Sequence, residues 1–413
     1  MAKMPAHHAV LQCKVLSMRL IPVLAGLIAF TGLSAAYAQP APSPANCGGD
    51  PDIEGPCAAM FDAMPMNEIQ AIGSHNSYHQ RPTLPELKLI EHIRPGTSPG
   101  WDYGHAPLDE QLDRGMRQLE LDVYYDPEGG RYADPLGPRL TAGTRGAAPY
   151  DAAPMQAPGF KVMHMQDIDV RSSCATLLSC LGQIRDWSNA HSGHVPLLIM
   201  FNTKQEMIDF EGTVRPLAVN QKAFAALEKE ILTVFTRDEI LTPDDVRQGE
   251  ATLPDALRKH GWPTLRQTRG KVLFLIDENA SVIKTYMKRS KALEGKLLFV
   301  KSVAPTQPHA AIFVENEPLK QYDEICRLVE SGFIVRTRAD ANLKEARSGD
   351  DTRMVAALGS GAQFVTTDMY QARADLGSYS VSLPDNQVAR RNPRLWRERM
   401  SAVTEPSRDC RRP

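Results

Sequence analysis

The chain has 413 residues, of which 42% are hydrophobic, enough for one large domain or two ordinary ones with a sizeable core. Lysine and arginine nearly balance aspartate and glutamate, leaving a formal net charge of −2. That balance argues against nucleic acid as the main partner, because such proteins usually carry a basic excess.

At the N-terminus, Lys14 and Arg19 precede an apolar run from Leu20 to Leu33, and Ala36-Tyr37-Ala38 offers a small-x-small cleavage site. The run is short for a membrane span. Residues 1–38 therefore read as a cleaved export signal, with the mature chain periplasmic or secreted and no other membrane segment expected. Cleavage leaves Cys47, Cys57, Cys174, Cys180, Cys326 and Cys410. An even number in an exported chain suggests disulfides, with fifteen possible connectivities. The local pairs Cys47–Cys57 and Cys174–Cys180 are the simplest; no Cys/His cluster suggests zinc.

Residues 39–65 form a flexible lead-in, rich at its start in Pro, Ala and Gly. Short apolar runs then alternate with amphipathic stretches. The predicted strands are Ile69–Gly73, Gln118–Val123, Lys161–Met165, Pro196–Phe201, Lys271–Ile276, Lys296–Val300, Gly332–Arg336 and Gln363–Thr366. Helical patterns such as Cys174 to Ala190 and Gln221 to Phe235 lie between them. Eight strands alternating with helices predict an α/β fold, a (β/α)8 TIM barrel over residues 66–380, with a doubly wound sheet as the alternative. Insertions at 126–160 and 203–270 interrupt the pattern. Loops after barrel strands lie on the catalytic face, so the first insertion either shapes substrate access or is a plain surface loop. The tail, 381–413, carries Arg390, Arg391, Arg394, Arg397 and Arg399 around Trp396. It reads as a solvated helix face or a ragged end rather than a polyanion site.

Reactive groups collect at strand ends. Gly73-Ser74-His75-Asn76-Ser77-Tyr78 follows the first strand. Leu119-Glu120-Leu121-Asp122-Val123 puts two carboxylates on one face of the second. Adjacent carboxylates repel unless a cation balances them, and oxygen ligands suit Ca²⁺, or less well Mg²⁺. The competing explanation is pairing with Arg114 or Arg117. His164 ends the third predicted strand, and Asn202 and Lys204 end the fourth. Consecutive barrel strands are neighbours, so His75, Glu120, Asp122 and His164 would converge at one mouth. Two histidines, a hard cation and positive charge fit phosphoryl transfer. There is no Gly-x-Ser-x-Gly elbow, P-loop or dinucleotide fingerprint to support serine-esterase, kinase or dehydrogenase chemistry.

These residues resemble the calcium-dependent phosphatidylinositol phospholipase C family of bacteria. The likeness lies in Gly-Ser-His-Asn-Ser-Tyr-His at 73–79, Leu-Glu-Leu-Asp-Val at 119–123, and His164. It extends through Cys174…Cys180-Leu181, Trp187-Ser188-Asn189-Ala190, Val335-Arg336-Thr337-Arg338-Ala339-Asp340, Ser360-Gly361-Ala362-Gln363 and Thr367-Asp368, in the same order from about residue 66 to 370. The resemblance implies a TIM barrel that cleaves phosphatidylinositol at a membrane surface to diacylglycerol and a cyclic or opened inositol phosphate. Carried over, His75 stabilises the phosphorane and serves as base, and His164 protonates the leaving alkoxide. Asn76, Glu120 and Asp122 hold Ca²⁺, and Glu120 shares in deprotonating the 2-hydroxyl. The family's further acidic ligand corresponds to Asn202, which lowers ligand charge and predicts weaker calcium binding. Lys204 and Arg336 are expected to contact substrate. A monomer is expected. The alternatives are a glycerophosphodiester phosphodiesterase, disfavoured because Asn-Ser rather than Arg-Gly follows His75, and a non-catalytic lipid- or glycan-binding barrel.

Overall fold

The computed structural model describes residues 49–396, except residue 54. The predicted export signal, Cys47, Cys410, Arg397 and Arg399 lie outside the described residues. Ten strands form one sheet: β1 (Ile69–Ser74), β2 (Gln118–Tyr124), β3 (Lys161–Val162), β4 (Leu197–Thr203), β5 (Val272–Ile276), β6 (Phe299–Ser302), β7 (Ile312–Val314), β8 (Ile334–Arg338), β9 (Phe364–Thr367) and β10 (Ala389–Arg391). Eight are parallel and run in the order β1-β9-β8-β7-β6-β5-β4-β2, and a β1–β2 pairing closes the ring. This is the predicted (β/α)8 barrel. The barrel strands are buried almost throughout because helices cover them outside and side chains fill them inside.

The ring closes through one register pair, Gly73 with Gln118. A Cβ on Gly73 would stand 2.6 Å from the Gln118 carbonyl oxygen, so only glycine permits the approach. Ser77 adds two further ties across the seam. Its amide donates to the Glu120 carbonyl (2.9 Å), and its hydroxyl accepts from the Glu120 amide (2.8 Å).

The strand count was right, but its membership was not. Only Lys161–Val162 of the third predicted strand is extended, and it lies antiparallel on the end of β2, outside the ring. A parallel neighbour needs a helical crossover. The 126–160 insertion instead folds back, leaving His164 in a tight turn closed by paired Met165 and Asp169 amides and carbonyls (3.0 Å each). The missing barrel strand is β7, whose three residues are too few to show a period. The insertion is anchored on buried Asp167, whose carboxylate accepts from the amides of Leu136 (3.1 Å) and Val214 (2.6 Å).

Cys174 and Cys180 form a disulfide, and Cys57 is disulfide-bonded. Cys326 is buried in the helix Pro318–Glu330. Part of the stretch read as a basic tail is structured: β10 runs antiparallel to β1. Its arginines are engaged, with Arg390 donating to Gln70 (2.9 Å), Arg391 stacked over Trp396 (4.1 Å) and Arg394 paired with Glu330 (2.6 Å).

A buried histidine leads into β4 and gives the fold a pH dependence. His194 accepts from the Ser188 hydroxyl at Nε2 (2.7 Å) and donates from Nδ1 to the Val195 carbonyl (2.6 Å). Burial, reinforced by Arg117 and opposed by the Val195 bond, lowers its pKa to about 4. The unfolded chain binds that proton from about pH 6.5 downward, the folded chain only near 4. The contribution is therefore complete above pH 6.5 and is lost as pH falls toward 4. The expected loss is up to about 3 kcal/mol. Thermal melts from pH 7.5 to 4.5 check it, and His194→Asn should flatten the slope.

Candidate active site

His75 follows directly on β1, and the turn continues through Asn76 in a left-handed conformation (φ 47°), which asparagine tolerates. The imidazole donates from Nδ1 to Asp368 Oδ1 (2.7 Å) and accepts at Nε2 from Arg338 (3.2 Å). Glu120 Oε1 lies 3.9 Å from the same Nε2. Burial, then Arg338, lowers the His75 pKa to about 4 against the pull of Asp368 and Glu120. The ring is thus neutral at pH 7, with an unprotonated Nε2 that accepts from Arg338. Asp368 binds Arg338 through its other oxygen (2.9 Å). Burial opposes its charge, but Arg338 and His75 outweigh this and hold the carboxyl well below the usual range.

Across the mouth, His164 donates from Nδ1 to Asp169 Oδ2 (2.8 Å), and the Trp101 ring packs T-shaped against it with centroids 4.5 Å apart. Fully buried His79 bonds both Asp169 oxygens at 3.0 Å. Burial again opposes the charge, and His79 and His164 together keep Asp169 ionised. These three residues bring metal-ligand atoms within 4.8 Å of one another. The histidine–carboxylate hydrogen bonds account for that cluster.

Alternation along β2 turns Glu120 and Asp122 inward, and the β2–β4 register sets Asn202 beside Asp122. Asn202 nevertheless donates to Glu120 Oε1 (2.8 Å). Arg336, buried on β8, pairs with Glu120 Oε2 at 2.6 Å. Lys204 pairs with Asp122 Oδ2 at 2.9 Å, and the Tyr78 hydroxyl donates to the same oxygen (2.8 Å). Burial works against the Lys204 charge, but Asp122 outweighs it and raises the ammonium's pKa. Asn76 donates its amide to the Tyr103 hydroxyl (3.0 Å). The structure thus gathers His75, Asn76, Glu120, Asp122, Asn202, Lys204 and Arg336 at one mouth, with His164 across it. Lys204 and Arg336 bind the paired carboxylates, a task the sequence suggested for Arg114 or Arg117. Arg117 instead pairs with Asp52.

The donors fit a hard cation: Glu120, Asp122, Asn76 and Asn202 offer only oxygen as ligand atoms, and buried Asp122 Oδ1 has no hydrogen-bond partner. Each carboxylate also carries a protein cation, so a metal held there would share them with Lys204 and Arg336.

Sequence reasoning assigned no role to Asp368, Arg338, Asp169 or His79. Asp368 follows β9 and Arg338 ends β8, so the strand-end rule that found His75 and Glu120 would have found both. Asp169 sits in an irregular turn that leaves no periodic signal.

Residues 64–393 match the family described as Phosphoinositide phospholipase C, Ca²⁺-dependent. No curated protein matches the sequence. Among solved structures, the chain is similar to the calcium-dependent phosphoinositol-specific phospholipase C of a Gram-negative Pseudomonas species in its myo-inositol complex. Identity is 15%, covering 81% of this chain and 97% of that one, with a TM-score of 0.50. A second crystal form of that enzyme is 16% identical, covering 80% and 96%, with a TM-score of 0.50. The Ca²⁺-dependent phosphatidylinositol-specific phospholipase C of Streptomyces antibioticus is 18% identical, covering 75% and 96%, with a TM-score of 0.46. With the family match spanning most of the barrel and both histidines at its mouth, this chain belongs to the Ca²⁺-dependent phosphoinositide phospholipase C family.

Proposed function

We propose that the mouth cleaves phosphatidylinositol by attack of the inositol 2-hydroxyl on the neighbouring phosphodiester. The observation that carries this reading is that His75 and His164 are each anchored through Nδ1 to a buried aspartate, which makes Nε2 the proton-transfer atom of each; Arg338, which donates to His75 Nε2 (3.2 Å), has to turn from it toward the phosphate. His75 Nε2, helped by Glu120, takes the proton of the 2-hydroxyl as its oxygen bonds to phosphorus. The bond from phosphorus to the glycerol oxygen breaks, and His164 returns a proton to that oxygen. Diacylglycerol leaves and a cyclic inositol phosphate remains, which water opens by the reverse roles. Arg338, already on His75, is placed to meet a phosphate oxygen, and Lys204 and Arg336 hold the mouth's carboxylates in place. A divalent cation held by Glu120, Asp122, Asn76 and Asn202 would supply positive charge to the phosphate and acidify the 2-hydroxyl.

Action at a membrane surface by an exported enzyme completes the reading. The apolar N-terminal run with its Ala36-Tyr37-Ala38 site and the Cys174–Cys180 disulfide support export. Among the described residues, no helix is long and apolar enough to cross a membrane.

The test is hydrolysis of phosphatidylinositol vesicles against glycerophosphocholine, in millimolar calcium and in chelator. Inositol phosphate should appear from phosphatidylinositol, and its rate should fall at least about tenfold in chelator. Preferential release of choline-side product would favour a glycerophosphodiesterase and sink this reading. Absence of any activity in calcium would favour a binding barrel.

A further inference from the structure

Every connection between consecutive barrel strands contains a helix except the one from β6 to β7. Residues 303–311 cross there as a bare loop, which leaves a gap in the barrel's outer coat. Gln307 fixes the loop, its Oε1 accepting from the amides of Val303 (2.9 Å) and Ala304 (3.2 Å). Between this loop and the helix Ala280–Met287, which follows β5, lies a cavity of about 250 Å³. None of the mouth residues lines it.

Its apolar wall comes from Ile283 and Met287, and Lys284, Lys288, Lys291 and Lys301 also line it. Lys301 is paired with Asp277 (2.5 Å). The other three lysines are exposed, and no carboxylate lines the cavity to balance them. A row of lysines on a helix is commonly just solvated. Two further observations set this one apart. Lys288 ends the helix with φ 56° and ψ −100°, a region that residues other than glycine rarely enter. Such backbone persists only where its surroundings hold it, and it gathers at ligand sites. In addition, His309 lines the cavity at only 8% exposure, and its buried Nδ1 has no hydrogen-bond partner. An unmet polar atom of this kind is uncommon in a folded interior. Burial lowers the His309 pKa, so the ring is neutral at pH 7.

We propose that this cavity binds a small soluble phosphate monoester with an apolar body, at a site separate from the mouth. The ammonium groups of Lys284, Lys288 and Lys291 take the phosphate oxygens. Ile283 and Met287 take the apolar part, and His309 supplies a neutral polar contact. Phosphate suits that contact better than sulfate or carboxylate. Near neutral pH it offers acceptor oxygens and, in its singly protonated fraction, a hydroxyl donor as well. The volume falls just below the roughly 300 Å³ at which ligand pockets usually begin, so the ligand is small.

The test is calorimetric titration of the full chain with hexyl phosphate, hexyl sulfate and inorganic phosphate at pH 7. Hexyl phosphate should bind at least about tenfold more tightly than either of the others, because the sulfate lacks the hydroxyl and inorganic phosphate lacks the apolar chain. Lys284→Gln with Lys291→Gln should weaken that binding at least about tenfold and leave the thermal melt unaltered. Val303→Asp, at a position 67% exposed, sets a competing carboxylate beside the lysines and should weaken it as well. Arg338→Gln, at the mouth, should leave it unchanged. If the double lysine variant melts early, Val303→Asp decides. Binding that survives both cavity variants, or that falls in Arg338→Gln instead, overturns the proposal. So does hexyl sulfate that binds as tightly as hexyl phosphate, or a wild type that binds no hexyl phosphate. Capture of phosphatidic acid vesicles through Lys284 and Lys291, without binding of hexyl phosphate, would assign the lysines to lipid and overturn it too.

Discussion

Replacing His75 or His164 with alanine should lower turnover of phosphatidylinositol by about 10²–10⁴-fold, the usual worth of a positioned acid or base. Each variant should keep a wild-type melt within about 1 kcal/mol, because both rings are partly open to solvent at the mouth. Losses of similar size in the single and double variants are the expected signature, since the two histidines act on opposite ends of one displacement. The aspartates behind them act at one remove. Asp368→Asn keeps one acceptor oxygen where the carboxylate has two, so it cannot both fix the Nδ1–H tautomer of His75 and hold Arg338 at 2.9 Å. Its activity should fall less than that of His75→Ala. Steady-state kinetics on phosphatidylinositol micelles would show this, and a His164→Ala enzyme of undiminished rate would remove the proposed general acid.

Arg336→Leu should cost about 3–5 kcal/mol of stability in chelator, because it leaves Glu120 charged and buried with the neutral Asn202 amide as its remaining side-chain hydrogen-bond donor among the described residues. The contrast is Arg258→Ala, whose pair with Asp255 lies on the surface and should contribute about 0–1 kcal/mol. The same argument gives a metal signature. Calcium should return part of the stability lost in Arg336→Leu, since a cation replaces the guanidinium beside Glu120. Lys204→Met removes the ammonium from Asp122 and should tighten calcium binding about tenfold, equal to about 1.4 kcal/mol. Denaturant unfolding in chelator and in calcium, with calorimetric calcium titration, reads both effects. Calcium affinity unchanged in Lys204→Met would show that the ammonium does not compete for Asp122.

Much of this was legible in the sequence. The strand ending in Gly73-Ser74-His75 and the alternating Leu119-Glu120-Leu121-Asp122 carry their own geometry, because a strand's period of two fixes which side chains share a face. That placed His75, Glu120 and Asp122 together and gave the barrel its count. His164 came to the mouth by another route. Its segment was read as a barrel strand, but it is a turn held against β2 by a two-residue antiparallel bridge. An apolar run of four or five residues looks the same in either setting, and only pairing partners distinguish them. β7 was missed for the opposite reason: three residues inside a ring are held by their neighbours rather than by a pattern of their own. Long-range pairs were the least legible. Arg336 reaches Glu120, and Arg338 reaches Asp368 and His75, across strands distant in the chain.

The seam between β1 and β2 has a consequence for how this molecule can fail. Two strands adjacent in the chain share one register pair and one bond from the Arg117 amide to the Ile72 carbonyl (2.8 Å), and Ser77 adds two further ties by bonding the backbone of Glu120. The turn that carries His75 is therefore also the clasp of the ring. A fluctuation that unfastens the clasp draws His75 away from Glu120 in the same movement. Local opening and loss of the reactive geometry are then a single event, and the most easily breached part of the barrel wall is also where its chemistry is assembled.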